Sequence, residues 1–309
     1  MRKKILITGA TGLIGTALTR RLCSEGAYVK MLTRNAKNAT GMFDKHFSLE
    51  ALEYEKYDTP NLLAKILSDI DVVVNLAGAN IGGKRWNKEY KRIIYDSRID
   101  LTRLLVSAIH LSDSKPACLI NASGVGIYGD TKDELVTEES RPGNDFLANL
   151  CKDWEREAMK AFGLGVRVVA IRTGIVLDKK GGALPKLLFP FKFFVGAYQG
   201  SGKQWLSWIH IDDIVSLYTY AIENDELKGP VNGTSPEPVR NKGFVKSAGH
   251  VLNRNVAISA PAFALRLAIG EFAESLLTGQ RAIPEKAVAA GFEFAFPDLN
   301  GALKNLLNS

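Results

Sequence analysis

The stretch ILITGATGLIGTAL, Ile5–Leu18, decides how the chain folds. Ile5-Leu6-Ile7-Thr8 reads as a buried strand, and the apolar residues from Leu13 onward recur at helical spacing. Between them Gly9, Gly12 and Gly15 stand in a G-x-x-G-x-x-G arrangement. The first glycine permits a tight turn, the second lets backbone approach a pyrophosphate, and the third lets the helix pack close to the strand. The helix N-terminus adds a partial positive charge for an anion. Gly9, Thr11, Gly12, Leu13, Ile14 and Gly15 are therefore the expected phosphate contacts.

Working outward, short β-rich runs alternate with amphipathic stretches, the pattern of parallel βαβ units. Strands are expected at Lys4–Thr8, Tyr28–Thr33, Leu52–Tyr57, Asp71–Leu76, Ala117–Ala122 and Val166–Arg172, and helices at Leu13–Glu25, Asn61–Ser68, Lys88–Leu111 and Phe146–Phe162. Strands such as Val72-Val73-Val74 are apolar throughout, as burial on both sheet faces requires. The expected class is α/β, a doubly wound parallel sheet of the Rossmann type. After Arg172 the rhythm changes to Gly- and Pro-punctuated, aromatic-rich sequence. The reading is a dinucleotide-binding domain over residues 1–172 and a smaller C-terminal substrate lobe over 173–309, with chain crossings between them.

Bulk properties narrow the function. The 309 residues are 46% hydrophobic, enough for a full core. No run of about 18 apolar residues is present and the N-terminal apolar run is too short for a signal peptide, so the expectation is a cytoplasmic protein with no membrane partner. Three cysteines without paired spacing and four histidines without ligand spacing indicate neither disulfides nor a metal. The net charge of +7 comes from Lys and Arg spread along the chain, which suits a small anionic ligand and gives no nucleic-acid signature.

The end of the second strand selects the cofactor. A carboxylate there would hold the ribose hydroxyls of NAD, but Thr33-Arg34-Asn35 offers a guanidinium suited to a 2′-phosphate, with Lys37 near it, so NADP is expected. Asp58 either accepts from the adenine amino group or caps the helix after Pro60. Leu76-Ala77-Gly78 ends the fourth strand with small residues that let cofactor lie against backbone. Arg85-Trp86 either clamps a flat or anionic substrate or caps the following helix. Asn121-Ala122-Ser123 has the form of a glycosylation acceptor but falls at a buried strand end.

TGATGLIG, NLAGANI, RWN, SRIDLTR, ASGVGIYGD, WEREA, RTGIVL, PFKFFVGAYQGSGKQWLSWIHIDD and GQRAIP occur in this order between residue 5 and about residue 300. Together they resemble the atypical "epimerase family" group of the extended short-chain dehydrogenase/reductases. The resemblance implies an NADP-binding Rossmann fold with a C-terminal substrate lobe. It also implies that Arg98 reaches the cofactor phosphates. Typical members of the superfamily pair a Ser with a Tyr and a Lys four residues apart on the next helix. Ser123 matches the first, but the Tyr and Lys positions fall on Leu147 and on Cys151, which would still face the cofactor.

Tyr128 and Lys132 satisfy Y-x-x-x-K as a string, yet Gly129-Asp130 between them reads as a turn. Lys152 is turned about 100° from Cys151 on a helix. The remaining candidates for chemistry are Ser123, Tyr128 as a pocket hydroxyl, and His210 in WIHIDD, which is either a pocket residue or a hydrogen-bonded structural one. The expected function is an NADP-dependent oxidoreductase or epimerase-like enzyme acting on a small hydroxy or carbonyl compound without the usual proton relay. The alternative is a noncatalytic NADP-binding protein that reports cofactor redox state.

Overall fold

The computed structural model describes residues 2–254 and 257–308. Its centre is a seven-stranded, wholly parallel sheet. The first strands are β1 (Lys4–Thr8), β2 (Tyr28–Thr33), β3 (Leu49–Glu53), β4 (Val72–Asn75) and β5 (Cys118–Gly124). A two-residue strand, β6 (Leu135–Val136), lies outside this sheet, and β7 (Arg167–Thr173) returns to it. The order across the sheet is Gly229–Gly233, β7, β5, β4, β1, β2, β3. The chain thus winds one way from β1 to β3 and the other from β4 onward, a Rossmann fold. Ligands bind such sheets at the switch point, outside the carboxyl ends of β1 and β4.

Helices cover both faces. They are α1 (Leu13–Ser24), α2 (Ala36–Thr40), α3 (Pro60–Leu67), α4 (Lys88–Leu111) and α5 (Phe146–Met159). Local chemistry sets their starts: the side chains of Asn87 and Asp145 accept from the amides of Tyr90 and Ala148, satisfying donors that have no partner inside the helix. Helices α3, α4 and α5 bury Leu63, Leu105, Ile109 and Ala158 against Leu6, Val73 and Leu119 on one face. On the other face Leu18 and Leu22 of α1 join Ile214 and Tyr218 of helix Ile211–Glu223 against Ile5, Val74 and Ile120.

One expectation shifts. The third strand runs over Leu49–Glu53, and Tyr54–Tyr57 is a 3-10 turn. The aromatic residues that suggested strand there pack on the α3–α4 cluster from that turn. The sheet also extends past residue 172, because Gly229–Gly233 pairs with β7 and helix Ile211–Glu223 packs on α1. The chain therefore crosses back after first leaving the sheet.

The remaining chain forms small strand pairs beside the sheet's carboxyl edge. Ile175–Asp178 pairs with Trp208–His210, Gly196–Gln199 with Ala257–Ala260, and β6 with Arg281–Ala282. Among the described residues no helix is long and apolar enough to cross a membrane.

Candidate functional site

The phosphate loop is shaped by contacts that exclude side chains. Gly9 has φ +70°, and a Cβ there would lie 2.7 Å from the Leu76 carbonyl carbon. A Cβ on Gly15 would lie 2.2 Å from the Gly9 oxygen. These two glycines bring β1, β4 and α1 into direct backbone contact. Gly12 is exposed at the N-cap of α1 with no side chain capping the helix, and no acidic residue stands in the first turn. The amides of Leu13, Ile14 and Gly15 lie in the first turn, where helix amides have no intrahelical acceptor. Thr11 is exposed beside them, and Leu13 reaches across to Gly181–Gly182.

At the end of β2, Thr33 is half-buried and Arg34 is exposed, with no ion pair among the described residues. Asn35 caps α2 by accepting from the Asn38 amide at 2.9 Å, and Lys37 in the same turn is likewise exposed without an ion pair among the described residues. Asp58 does not cap α3; Thr59 holds that position, with Pro60 at the first helical residue. Asp58 is exposed and makes no side-chain hydrogen bond among the described residues.

At the end of β4, Leu76 and Ala77 are half-buried and Gly78 is exposed. The Arg98 guanidinium packs against Gly78, where a Cβ would stand 2.7 Å from its Cζ. Arg98 is only 8% exposed. It donates to the Ile94 carbonyl at 2.9 Å and lies 5.2 Å over the Trp154 ring, but no carboxylate is within ion-pair distance among the described residues. Burial pulls its pKa down, with the Cys151 sulfur among the groups it faces. An uncompensated buried cation is costly in water-free surroundings and calls for an anion.

The strand ends are held by a buried hydrogen-bond cluster that no sequence motif announced. Thr8 donates to Asn75 at 2.6 Å; Asn75 donates to Asn121 at 2.6 Å and to Thr102 at 2.9 Å; Trp154 also donates to Thr102. This joins β1, β4, β5, α4 and α5 directly under the cleft. Asn121 is fully buried in it, which removes the glycosylation string from access.

The β5–α5 end is different in kind. Ser123 is buried and donates to Glu155 Oε1 at 2.7 Å. Glu155 takes both nitrogens of a bidentate pair with Arg172, at 2.8 and 2.9 Å. Arg172 also donates to the Tyr128 hydroxyl and the Glu138 carbonyl, each at 3.0 Å. Tyr128 donates to Asn232 at 2.7 Å, and the Asn232 amide donates to the Glu138 carboxylate at 2.8 Å. Tyr128 is buried in this network, not on a pocket wall, and burial pushes its pKa up against the opposing pull of Arg172. Lys132 does not share its face: the 3-10 turn Val125–Tyr128 ends at Gly129, φ +66°, and Lys132 itself has φ 49°.

The same end also carries Gly124, Gly126, Leu147 and Cys151. A Cβ on Gly124 would meet the Cys151 sulfur at 3.7 Å, and one on Gly126 would meet Leu147 at 3.3 Å. Cys151 is buried and its thiol is pushed up to about 11, chiefly by burial, so it is neutral near pH 7. His210 is fully buried at the N-cap of helix Ile211–Glu223, its Nδ1 accepting from the Asp212 amide at 3.1 Å, its Nε2 3.2 Å from Asn305 and its ring stacked 3.9 Å from Phe296. The structural reading of His210 is the one these contacts match. Arg85 lies against Gly270, and Trp86 packs on Phe146 and Phe272 at 5.2 and 5.4 Å. Asn87, not this pair, caps α4, so Arg85-Trp86 joins the cleft rim to the C-terminal segment.

Sequence reasoning missed Glu155, Arg172, Glu138 and Asn232. The available signal was Arg172 at the end of the otherwise apolar run VVAIRT, since a buried Arg needs a buried acid.

Comparison with known proteins places this geometry. The model of the NAD dependent epimerase/dehydratase family matches residues 5–232, and a model described as a domain of unknown function, DUF1731, matches residues 260–306. An epimerase family protein of Mycobacterium bovis is 42% identical over 300 residues, covering 97% of this chain and 96% of that one. An epimerase family protein of Bacillus subtilis is 39% identical over 305 residues, covering 98% and 97%. The crystal structure of human epimerase family protein SDR39U1 (isoform 2) with NADPH superimposes with a TM-score of 0.86 at 31% identity, covering 99% of each chain.

Proposed function

The chain belongs to the NAD dependent epimerase/dehydratase family, and from that premise we propose that it is an NADPH-dependent oxidoreductase acting on a small carbonyl or hydroxy compound. The observation that carries the reading is the Arg98 guanidinium, buried against Gly78 at the switch point without a counterion among the described residues. Its charge is balanced by an anionic ligand crossing from the Gly9–Gly15 loop. Arg34 is free to take a 2′-phosphate, and the likeness to a protein crystallised with NADPH supports that choice. The bound cofactor would supply hydride.

This chain's residues would hold and orient. First-turn amides of α1 take pyrophosphate oxygens, and Gly78 lets the Arg98 guanidinium lie directly against the backbone at the end of β4. The proton is assigned to solvent, because the groups proposed from sequence are committed elsewhere: the Ser123 proton to Glu155, the Tyr128 proton to Asn232, and His210 to a helix cap. These same commitments favour a second reading, a noncatalytic protein that binds NADPH and reports its redox state.

One experiment separates the two. The protein is titrated with NADPH by intrinsic fluorescence, then incubated with NADPH and fractionated metabolite pools followed by mass spectrometry. The enzyme reading expects tight binding, protein-dependent conversion of a pool component, and about a 10- to 100-fold loss of NADPH affinity in Arg98→Gln. Tight binding with no conversion across the pools transfers the conclusion to the second reading. Unchanged NADPH affinity in Arg98→Gln overturns the role given to that residue.

A further inference from the structure

The segment between Asp178 and Asp212 contains no acidic residue and five lysines, at 179, 180, 186, 192 and 203. It carries Phe189, Phe193 and Phe194 on the surface; Phe194 is 70% exposed. Phe189 and Phe193 pack edge to face at 5.5 Å. Phe194 has φ 64°, a conformation unfavourable for a bulky side chain, and its ring meets the Arg254 guanidinium at 4.6 Å. The local backbone therefore holds an aromatic ring outward where glycine would be the relaxed choice.

The chain runs from these rings into the strand pair Gly196–Gln199 and Ala257–Ala260. Gly196 faces Val245 of helix Asn241–Val251, so by alternation Ala197 and its partner Ile258 face away from that helix, and Ile258 is half-exposed. The next helix, Ala262–Ile269, has no buried residue, and Phe263 and Leu267, four residues apart on one side, are 72% and 77% exposed. An extended apolar face of this kind marks a contact surface. Cations stand beside it: Lys186 and Lys192, in the segment that carries these rings, are exposed with no ion pair among the described residues, whereas the acidic Glu271 and Glu274 are paired with Lys91 and Arg266.

We propose that this face docks on an anionic phospholipid bilayer, with Phe193, Phe194, Phe263 and Leu267 at the headgroup–acyl boundary and Lys186 and Lys192 against lipid phosphates. Exposed aromatics beside unpaired lysines are the chemistry of a peripheral membrane contact. A second copy of the chain fits less well, because a self-paired face would bring the cations of two copies into one contact while Glu271 and Glu274 are already paired within each chain. The expectation of no membrane partner rested on the lack of a spanning segment, which does not bear on peripheral docking. The proposal goes beyond the cofactor reading and does not depend on it.

The test is cosedimentation of the full chain with vesicles of phosphatidylcholine alone and of phosphatidylcholine with about one third phosphatidylglycerol, where binding at least about tenfold stronger to the anionic vesicles is expected. Phe193→Ser/Phe263→Ser/Leu267→Ser should lose binding to these vesicles, and Lys186→Glu/Lys192→Glu should lose the preference for anionic lipid. NADPH titration of each variant, expected to match the parent, reports that the fold is kept. Equal sedimentation with both vesicle types, or variants that bind like the parent, overturns the proposal. So does a parent protein that ignores vesicles but dimerises in light scattering through a contact that the triple variant abolishes; the face would then be a self-interface.

Discussion

At the β1–α1 end of the sheet's carboxyl edge the protein is nearly bare backbone, while at the β5–α5 end Ser123, Glu155, Arg172 and Tyr128 grip one another. Gly9 and Gly15 leave no room for Cβ atoms, and Gly12 stands exposed over a helix N-terminus that no side chain caps. Ser123, Glu155, Arg172, Tyr128, Asn232 and Glu138 instead form one continuous buried network. The first construction leaves first-turn helix amides without an intrahelical acceptor; the second has satisfied itself. The two ends share one sheet edge but should respond to substitution through different observables.

The sharpest way to break that contrast is at the Glu155–Arg172 pair, both partners of which are nearly buried. Glu155→Ala strands a guanidinium, and the expected loss is about 3–5 kcal/mol in denaturant unfolding. The double variant Glu155→Leu/Arg172→Met should recover much of it, since the stranded charge is gone. A loss below about 1 kcal/mol for the single variant would mean that the pair is hydrated. Ser123→Ala and Tyr128→Phe should likewise lower stability, by about 1 kcal/mol each, and leave NADPH affinity unchanged.

The opposite signature is expected at Gly12. Gly12→Val should leave the unfolding midpoint of the cofactor-free protein near that of the parent and weaken NADPH binding about 100-fold or more, because its branches fill the approach to the first-turn amides. Parent-like binding would show that the loop is only a turn. Arg34→Ala is a smaller lever: it should remove about 1–3 kcal/mol of the preference for NADPH over NADH, measured by paired fluorescence titrations, with NADH affinity nearly constant.

The smallest effect concerns His210. Burial, opposed by Asp212 and Asp213, holds its folded pKa below the usual 6.5. The unfolded chain therefore binds the proton more readily, and the histidine's contribution is complete above about pH 6.5 and declines as pH falls toward its folded pKa. His210→Asn, whose side chain can still cap the helix, should flatten that part of the stability–pH curve. A curve unchanged between the two proteins would remove His210 from the acid sensitivity.

Some of this was legible in the chain alone. Gly9-x-x-Gly12-x-x-Gly15 between an apolar run and an amphipathic one specifies a loop, because backbone shape depends on neighbouring residues and a missing Cβ is written in the sequence. The Tyr54–Tyr57 error has the converse cause: aromatic residues favour strands on average, and only the packing against α3 and α4 selects the turn. The absence of the usual Tyr and Lys at Leu147 and Cys151 was equally readable. The partners of the polar groups that remain there were not.

Tertiary structure decided that Ser123 belongs to Glu155, that Tyr128 belongs to Arg172 and Asn232, and that His210 caps a helix. Tyr128 and Asn232 are separated by 104 positions, and whether a hydroxyl faces a cleft or a buried carboxamide depends on how distant strands come into register. The sequence by itself determined the parallel sheet, the phosphate loop and an arginine where a carboxylate would guard the ribose, since each rests on residues close together in the chain. The identity of every buried partner was left to the fold, because hydrogen bonds and charge compensation are set by distance in space, which local spacing does not encode.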